Sequence, residues 1–308
     1  MFIRQLSYLI ALDKHRHFAR AADSCHVSQP SLSVAIRQLE DELGITIIQR
    51  ARRFIGFTKE GEQVLAWARK TVASLDSLRQ DAAFARNNAG GHLAIGAVPS
   101  ALFAATLLVK TYRKIIPNLT IEICSLSTSE IHQRLKQHQL HLGMAYSESV
   151  SEGPFEHIPL YHERFVLLSG PDAEMKPGAT LRWEDVAHLP LCLFSPDMNN
   201  RRIINEAFAK AGVVPNVVIE TNTASVFLDL VSTGELYSIA PVSAVPGYFL
   251  HQGICMNPMS QQFGSPIYLL RLHQENASSL LNAAWGMAET IDLQEQLDDA
   301  LAEGAYRH

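Results

Sequence analysis

Several common features are missing from this 308-residue sequence, and each absence excludes a class of protein. No apolar run approaches the roughly 18 residues that a membrane span needs, so we expect no transmembrane helix. The apolar stretch near the N-terminus is short, is interrupted by Ser7 and Asp13, and leads to no small-residue cleavage site, so it does not resemble a signal peptide. We therefore expect a cytoplasmic protein that makes no membrane contact.

Cysteine is scarce, and its spacing forms no motif. The four cysteines are Cys25, Cys124, Cys192 and Cys255, and none belongs to a Cys-x-x-Cys pair. Cysteines this far apart in a reducing compartment are expected to remain thiols.

Signatures of catalysis are also lacking. The sequence has no Gly-rich dinucleotide motif, no Gly-Lys phosphate loop, no His-Glu-x-x-His and no Gly-x-Ser-x-Gly. His132, His138 and His141 come nearest to a metal-ligand cluster, but their spacing crosses a predicted helix-to-strand boundary and no cysteine is adjacent. We predict no enzyme, no catalytic residue, no metal site and no cofactor.

The charge is distributed unevenly along the chain. Residues 1–90 carry 13 Lys and Arg against 9 Asp and Glu, whereas residues 91–308 carry 13 against 22. A net charge of +4 in one part and −9 in the other suggests a basic module for a polyanion joined to an acidic module with another task.

Residues 18–44 follow the pattern of a helix-turn-helix. Small side chains at Ala21 and Ala22 let a short helix pack closely, and a tight turn is predicted at 26–27. Ser28 is a suitable N-cap for the next helix, and Pro30 falls in its tolerated first turn. The apolar residues of that helix share one stripe: Leu32, Ile36 and Leu39.

The opposite face of this helix carries polar side chains that suit the DNA major groove. Gln can hydrogen-bond adenine, Arg can hydrogen-bond guanine, and Ser can contact bases or phosphates. The predicted DNA contacts on this helix are Ser28, Gln29, Pro30, Ser31, Ser33, Val34 and Arg37.

Two elements are predicted after the helix-turn-helix. Strands at 45–48 and 54–57 form a hairpin whose basic tip, with Arg50, Arg52 and Arg53, suits phosphates or the minor groove. A helix of roughly 28 residues, about 42 Å long, then runs from Thr58 to about Arg86. Its apolar stripe needs a partner, which is either the same helix of a second subunit or the rest of its own chain.

After a break at 87–91 the pattern changes to alternating strands and helices. This alternation predicts α/β folding with largely parallel sheets. The polar tail 292–308 is predicted to fray in part.

The N-terminal motifs together resemble the LysR family of bacterial transcription regulators. The matching residues are Ala21-Ala22, Val27–Ser33, Ile36–Glu40, Glu42–Gly44, Arg50 and the Thr58…Gly61 pair. Further similarity lies at 117–122, 141–145 and 164–168. Glu60 departs from the family pattern, in which alanine is common.

The resemblance implies an N-terminal winged helix-turn-helix, a long linker helix, and a C-terminal α/β two-lobed effector domain that is periplasmic-binding-protein-like. The expected domains are 1–58, the linker helix and hinge 59–90, and 91–308. In the last, lobe I takes 91–162 and 265–308, and lobe II takes 163–264.

The resemblance also implies partners. These are double-stranded promoter DNA that the protein bends, a small-molecule effector between the lobes, RNA polymerase, and further copies of the chain. Copies pair through the linker helix into a homodimer and assemble into a homotetramer.

Effector contacts are expected where strands end beside helix N-termini, which suits a small organic anion. The candidates are Ser100, Ser127, Thr128, Phe194, Ser195, Asn199 and Thr223. In the family, the positions matching Ser100 and Thr128 commonly bind the effector.

Structural alternatives remain open for several of these residues. Ser127 and Glu130 form a capping box in sequence, and Asp197, Asn199 or Thr223 can cap the helices that follow them. Arg201 pairs with either an anionic ligand or a surface acid. One further alternative is a redox-sensing regulator of the same fold that acts through cysteine oxidation.

Overall fold

The computed structural model describes residues 1–50, 54–85, 90–146, 153–171, 173, 179–246, 253–260 and 264–305. The chain divides into two compact units, residues 1–86 and residues 87–308. Within the described ranges, no helix is both long and apolar enough to cross a bilayer.

The first unit is a helical domain with a β-hairpin. Its elements in chain order are α1 (Ile3–His15), α2 (Phe18–Ser24), α3 (Gln29–Leu43), β1 (Ile48–Arg50), β2 (Phe54–Phe57) and α4 (Lys59–Ala85). The predicted helix-turn-helix therefore corresponds to α2 and α3, and the first hairpin strand begins at Ile48 rather than at Ile45. Leu9, Leu32, Ile36 and Leu39 are fully buried in one core.

Local sequence signals explain where α3 begins and ends. The Ser28 hydroxyl accepts a hydrogen bond from the Ser31 N–H at 3.3 Å, as an N-cap does. Gly44 follows the helix with φ 67°, in the left-handed region that glycine enters without steric cost.

The long helix α4 has two different faces. Leu65 and Ala68 are buried in the core of the first unit, and Arg69 forms an ion pair with Asp13. On the outer face Trp67 is 67% exposed and Leu78 is 64% exposed. Trp67 therefore lies on a helix, as expected for the tryptophans of this sequence, but outside the core that its own chain provides.

The second unit begins with elements that surround a five-stranded sheet. They are β3 (Gly90–Ala97), a 3-10 turn (Pro99–Ala101), α5 (Leu102–Ile115), β4 (Asn118–Ser125), α6 (Thr128–Lys136), β5 (Leu142–Tyr146) and β6 (Phe155–His162). The chain returns to this sheet with β12 (Pro266–Leu272), α10 (Ser279–Thr290) and α11 (Leu293–Ala305). We call this assembly the first lobe.

The intervening chain builds a second lobe. Its elements are β7 (Phe165–Ser169), α7 (Trp183–Val186), β8 (Leu191–Phe194), α8 (Asn199–Lys210), β9 (Val217–Thr221), α9 (Ala224–Ser232), β10 (Ser238–Pro241), a 3-10 turn (Val242–Ala244) and β11 (Cys255–Pro258). The strand orders in this lobe are β10-β7-β11 and β8-β9.

The sheets are mixed, so the prediction of largely parallel sheets is wrong. The first lobe has the order β4-β3-β5-β12-β6, in which β3 pairs in parallel with both β4 and β5. The strand β12 runs antiparallel between β5 and β6. In the second lobe β7 is antiparallel to both of its neighbours, whereas β8 and β9 are parallel.

The C-terminal tail, which is predicted to fray in part, is helical over most of the residues that the structure describes. Residues 293–305 form α11, and Leu293 and Leu297 are buried in the core of the second unit. These two apolar side chains lie four residues apart and therefore on one helix face, which packs against the lobe.

The chain crosses twice between the lobes at adjacent positions. The Glu163 N–H donates to the Ser265 carbonyl at 3.3 Å. A Cβ on Gly264 would lie 1.9 Å from the Glu163 carbonyl oxygen, so no larger residue fits there without movement of the backbone. The two crossings therefore form a closely packed hinge.

Candidate functional site

The helix α3 presents the predicted DNA-reading face to solvent. Ser28, Gln29, Pro30, Ser31, Val34 and Arg37 are exposed, and Ser33 is half-buried. The Ser28 and Ser31 hydroxyls also contact each other at 2.8 Å. This face is polar and lies opposite the buried stripe of the same helix.

The basic tip of the hairpin is only partly visible. Arg50 ends β1, but its side chain lies outside the described part, as do Arg52 and Arg53 entirely. The hairpin itself is held by α3, because Glu40 Oε1 accepts the backbone N–H groups of Ile47 at 2.9 Å and Ile48 at 3.1 Å.

A cavity of about 630 Å³ opens where the two lobes meet in the second unit. One wall of the cavity comes from the first lobe. The other wall comes mainly from the loop before α8 and from the first turn of that helix. The lining residues are Val98, Pro99, Ser100, Ser125–Glu130, His132, Tyr146, Pro196–Asn200, Arg202 and Asn222. This volume suits a small organic molecule.

Three helix starts converge on this cavity. The 3-10 turn before α5 contributes Ser100, α6 contributes Thr128 and Ser129, and α8 contributes Asn199 and Asn200. Backbone N–H groups at helix starts carry partial positive charge, which favours a negatively charged ligand.

Four of the seven predicted effector residues line the cavity: Ser100, Ser127, Thr128 and Asn199. Ser127 is also the predicted cap, since its hydroxyl accepts from the Glu130 N–H at 3.3 Å and its own N–H donates to the Glu130 carboxylate at 2.9 Å. The Ser127 N–H and the Ser127 hydroxyl, which donates to Glu130 Oε2 at 2.7 Å, lower the pKa of the Glu130 carboxyl.

The remaining three candidates are not among the described residues that line the cavity. Phe194 is 1% exposed and packs edge-on against Phe227 in the core of the second lobe. Ser195 donates its backbone N–H to the Thr221 carbonyl. Thr223 is exposed at the start of α9, where its hydroxyl contacts the Asn222 side chain at 3.1 Å.

Arg201 is a buried structural residue. Its Nη1 donates to the Phe194 carbonyl at 2.7 Å and to Glu220 Oε1 at 2.9 Å, and its Nε donates to Asn205 Oδ1 at 3.0 Å. The acid partner foreseen from sequence is thus present, although the guanidinium itself is buried.

A buried polar chain behind the cavity was missed in the sequence. The Ser100 hydroxyl contacts the Tyr146 hydroxyl at 3.1 Å, and Tyr146 donates to Glu163 Oε2. Ser243 of the second lobe donates to Glu163 Oε1 at 3.0 Å. Ser100, Glu163 and Ser243 are all buried. The one sequence signal is an acidic residue two positions before a buried apolar strand.

Glu163 is the one acidic side chain among these hydrogen-bonded residues, and it is 2% exposed. Burial raises its pKa to about 7, against the opposing effect of hydrogen bonds from Tyr146, Ser243 and Ser100. Burial is also the main cause that raises the pKa of Tyr146 well above its usual range, and the negative charge of Glu163 adds to it.

Two lining residues carry buried polar atoms without a hydrogen-bond partner in the described part of the chain. They are Asn200 Oδ1 and His132 Nε2. Burial, together with the nearby Lys136, lowers the pKa of His132, which favours the neutral imidazole. Unpaired buried polar atoms are costly, so a ligand that pairs with them gains affinity.

The cysteines lie apart from the cavity lining as far as the structure describes it, and none of the four is in a disulfide. Cys192 is buried, and burial raises the pKa of its thiol to about 11. A thiol with a raised pKa forms little of the reactive thiolate.

Comparison with known protein families agrees with this architecture. The model for the bacterial regulatory helix-turn-helix protein, LysR family, matches residues 3–62, and the model for the LysR substrate binding domain matches residues 86–290. The chain belongs to the LysR family. It is therefore a DNA-binding transcription regulator with an effector-binding domain, and not an enzyme.

Curated LysR relatives cover most of the chain. The hydrogen peroxide-inducible genes activator of Dickeya chrysanthemi is 29% identical over 84% of this chain and 85% of its own length. The transcriptional dual regulator OxyR of Escherichia coli K12 is also 29% identical, with the same coverage. The regulator AlsR of Bacillus subtilis is 28% identical over 79% of this chain and 82% of its own.

Solved structures of LysR proteins share the fold. A full-length OxyR variant from Pseudomonas aeruginosa has a TM-score of 0.72 and 25% identity, covering 95% of this chain and 98% of its own. The regulator CbnR in complex with its target DNA has a TM-score of 0.64 and 23% identity, covering 94% and 98%.

Proposed function

We propose that this LysR regulator binds and bends promoter DNA, and that a small organic anion in the cavity between the lobes modulates this binding. The observation that carries the proposal is the convergence of three helix starts and the Ser100 and Thr128 hydroxyls on one cavity of about 630 Å³. The unpaired Asn200 Oδ1 favours an anion that also bears a hydrogen-bond donor. The domain limits 1–58, 59–90 and 91–308 are part of this proposal.

The effector contacts can be tested by thermal shift. We expect small carboxylic acids from a screened panel to raise the melting temperature of the full chain, because a ligand that binds only the folded state stabilises it. Ser100→Ala and Thr128→Ala should lose this shift while they keep DNA binding. Thr106→Ala, on an exposed position of α5 outside the cavity, is the matched control. An undiminished shift in both cavity variants would contradict the assignment.

The DNA contacts proposed on α3 are Ser28, Gln29, Pro30, Ser31, Ser33, Val34 and Arg37, and Arg50, Arg52 and Arg53 are proposed for the hairpin tip. Loss of Arg37 should cost about 1–3 kcal/mol of preference for the operator. Loss of Arg52 should weaken binding to all sequences alike. The measurement is binding to operator and scrambled duplexes, with Arg113→Ala on an exposed position of α5 as control. Unchanged operator preference in Arg37→Ala would refute this choice of reading helix.

Self-association is proposed through the outer face of α4, where Trp67 and Leu78 are exposed. A dimer buries this face, presents two reading helices to two half-sites and doubles the modest positive charge of one first unit. Pairs of dimers then form the homotetramer. RNA polymerase is the proposed further partner at the promoter.

A second candidate is a redox-sensing regulator, and the relatives named hydrogen peroxide-inducible genes activators favour it. The raised pKa of Cys192 argues against that residue as the sensor. Single Cys→Ser variants of Cys124, Cys192 and Cys255 decide between the two. If one of them abolishes a response to peroxide, the redox function replaces the small-molecule one.

A further inference from the structure

The buried chain Ser100–Tyr146–Glu163 joins the effector cavity to the hinge. Ser100 and Tyr146 line the cavity from the first lobe, and Glu163 lies at the first crossing between the lobes. Ser243 reaches Glu163 from the second lobe. Glu163 is not needed for effector contact in the proposed function, and no surface role accounts for a carboxyl buried at this place.

Each hydroxyl in this chain has a single proton, which fixes the direction of the hydrogen bonds. When Glu163 is ionised, both of its oxygens accept, one from Ser243 and the other from Tyr146. The Tyr146 proton is then occupied, so the Ser100 proton turns inward, toward the Tyr146 oxygen at 3.1 Å and toward Glu163 itself. Ser100 consequently offers only lone pairs to the cavity, and lone pairs repel an anion.

A proton on Glu163 reverses the direction of the hydrogen bonds between Glu163, Tyr146 and Ser100. The carboxylic acid donates through Oε2 to the Tyr146 oxygen, and Tyr146 then donates to Ser100. The proton of Ser100 is released to point into the cavity, where it can donate to an anion. Oε1 continues to accept from Ser243, so the lobe contact is kept in both states.

We propose that an anionic effector binds at Ser100 together with one proton, which is taken from solvent and held on Glu163. No covalent bond changes in this step apart from the proton itself, which moves from water to the carboxylate while two hydrogen bonds reverse. The inference rests on the proposed anion site and adds to it a residue that sets the donor or acceptor character of Ser100.

The surroundings of Glu163 support a proton that is exchanged near neutral pH. Its pKa of about 7 means that both hydrogen-bond directions are populated near neutral pH. The other titratable groups that face it are the phenols Tyr146 and Tyr161, whose pKa values burial raises well above the usual range, so both stay neutral. Among the described residues, no cationic side chain pairs with Glu163.

The neighbours of Glu163 in sequence do not replace it. His162 and Arg164 are exposed, and Arg164 forms an ion pair with Asp298 of α11. Glu163 is therefore the buried carboxyl that can hold the proton in this network. A substitution of Glu163 removes that proton site and leaves the exposed neighbours in place.

The test measures anion affinity of the full chain between pH 5.5 and 8.5. Methanesulfonate, which is fully ionised over the whole range, and acetate, which is mostly ionised above pH 5.5, are the probes, and binding is followed by NMR titration. We expect the dissociation constant of the wild type to rise about two-fold from pH 5.5 to 7 and about fifteen-fold from pH 7 to 8.5, as one linked proton requires.

Substitutions distinguish the effect of the proton on anion affinity from the anion site itself. Glu163→Gln keeps a donor toward Tyr146 and an acceptor toward Ser243, so it should bind both probes at the low-pH wild-type affinity at every pH. Tyr146→Phe removes the hydroxyl that relays the reversal to Ser100 and should reduce the pH dependence, and an undiminished dependence in this variant would overturn the relay even if Glu163→Gln fails to fold. Ser243→Ala is the matched control and should keep the dependence, since it contacts the other carboxyl oxygen.

The outcomes distinguish this inference from the proposed function. Failure of both probes to bind the wild type at any pH would refute the anion site itself. Binding with a constant affinity across the range, or a Glu163→Gln variant that still weakens with rising pH, would overturn the proton coupling alone.

Discussion

The buried carboxyl of Glu163 makes stability depend on pH in a direction opposite to that of most paired acids. Its pKa is about 7 in the folded protein against an ordinary value of 4.5. The folded state therefore binds the proton more tightly than the unfolded state does. The contribution to stability is fully present below pH 4.5 and decreases as the pH rises toward 7.

The magnitude follows from the two pKa values. A difference of one pKa unit corresponds to about 1.36 kcal/mol, so the whole difference is worth about 3 kcal/mol. Between pH 5 and pH 8 about 2.5 kcal/mol of the free energy of unfolding should be lost through this residue alone. Little discount for solvent screening applies, because Glu163 is 2% exposed.

Urea unfolding of the wild type and of Glu163→Gln at pH 5, 6, 7 and 8 measures this loss. Other titrating groups affect both proteins equally, so the difference between the two unfolding free energies isolates Glu163. We expect the wild type to lose about 2.5 kcal/mol relative to the variant across this range. Parallel stability curves would show that the carboxyl is ionised in the folded state, and the reasoning from burial would fail.

Three further perturbations test the packing described above. Gly61→Ala should destabilise the first unit by about 1–3 kcal/mol in urea unfolding, because the new Cβ would lie 2.2 Å from the Ile47 carbonyl oxygen; a neutral effect would refute this close approach. Trp67→Ala should leave the unfolding of the first unit nearly unchanged but weaken self-association in sedimentation experiments, whereas a substantial loss of folding stability would place Trp67 in a core. Arg201→Ala should cost about 1–3 kcal/mol by leaving the Phe194 carbonyl without its donor, and a cost near zero would argue that water replaces the guanidinium.

Local signals made the reading helix predictable. The cap at Ser28, the stripe through Leu32 and Ile36 and the stop at Gly44 all lie within one element, and each acts over a few residues. The strand β6 is hard to predict from sequence for an equally local reason. Pro159 lies inside β6, where it argues against a strand, but β6 is at the sheet edge, where the missing N–H is tolerated.

The candidate site was predictable only where a strand ends beside a helix start. That rule identified Ser100 and Thr128, and the cavity contains both. It also selected Phe194, which belongs to a strand buried on both faces. The residues Ser100, Tyr146, Glu163 and Ser243 are spread over more than half of the second unit's sequence, so no local pattern could reveal their contact.

The position of β12 has a consequence for synthesis of the protein. This strand lies between β5 and β6 in the first lobe, yet the whole second lobe is translated before it. At about 5–20 residues per second, the roughly one hundred residues between β6 and β12 take on the order of 5–20 s to make. During that time β5 and β6 lack the strand that separates them, and their open edges are exposed to other chains. The nascent chain is therefore most vulnerable to aggregation just before its last strand leaves the ribosome.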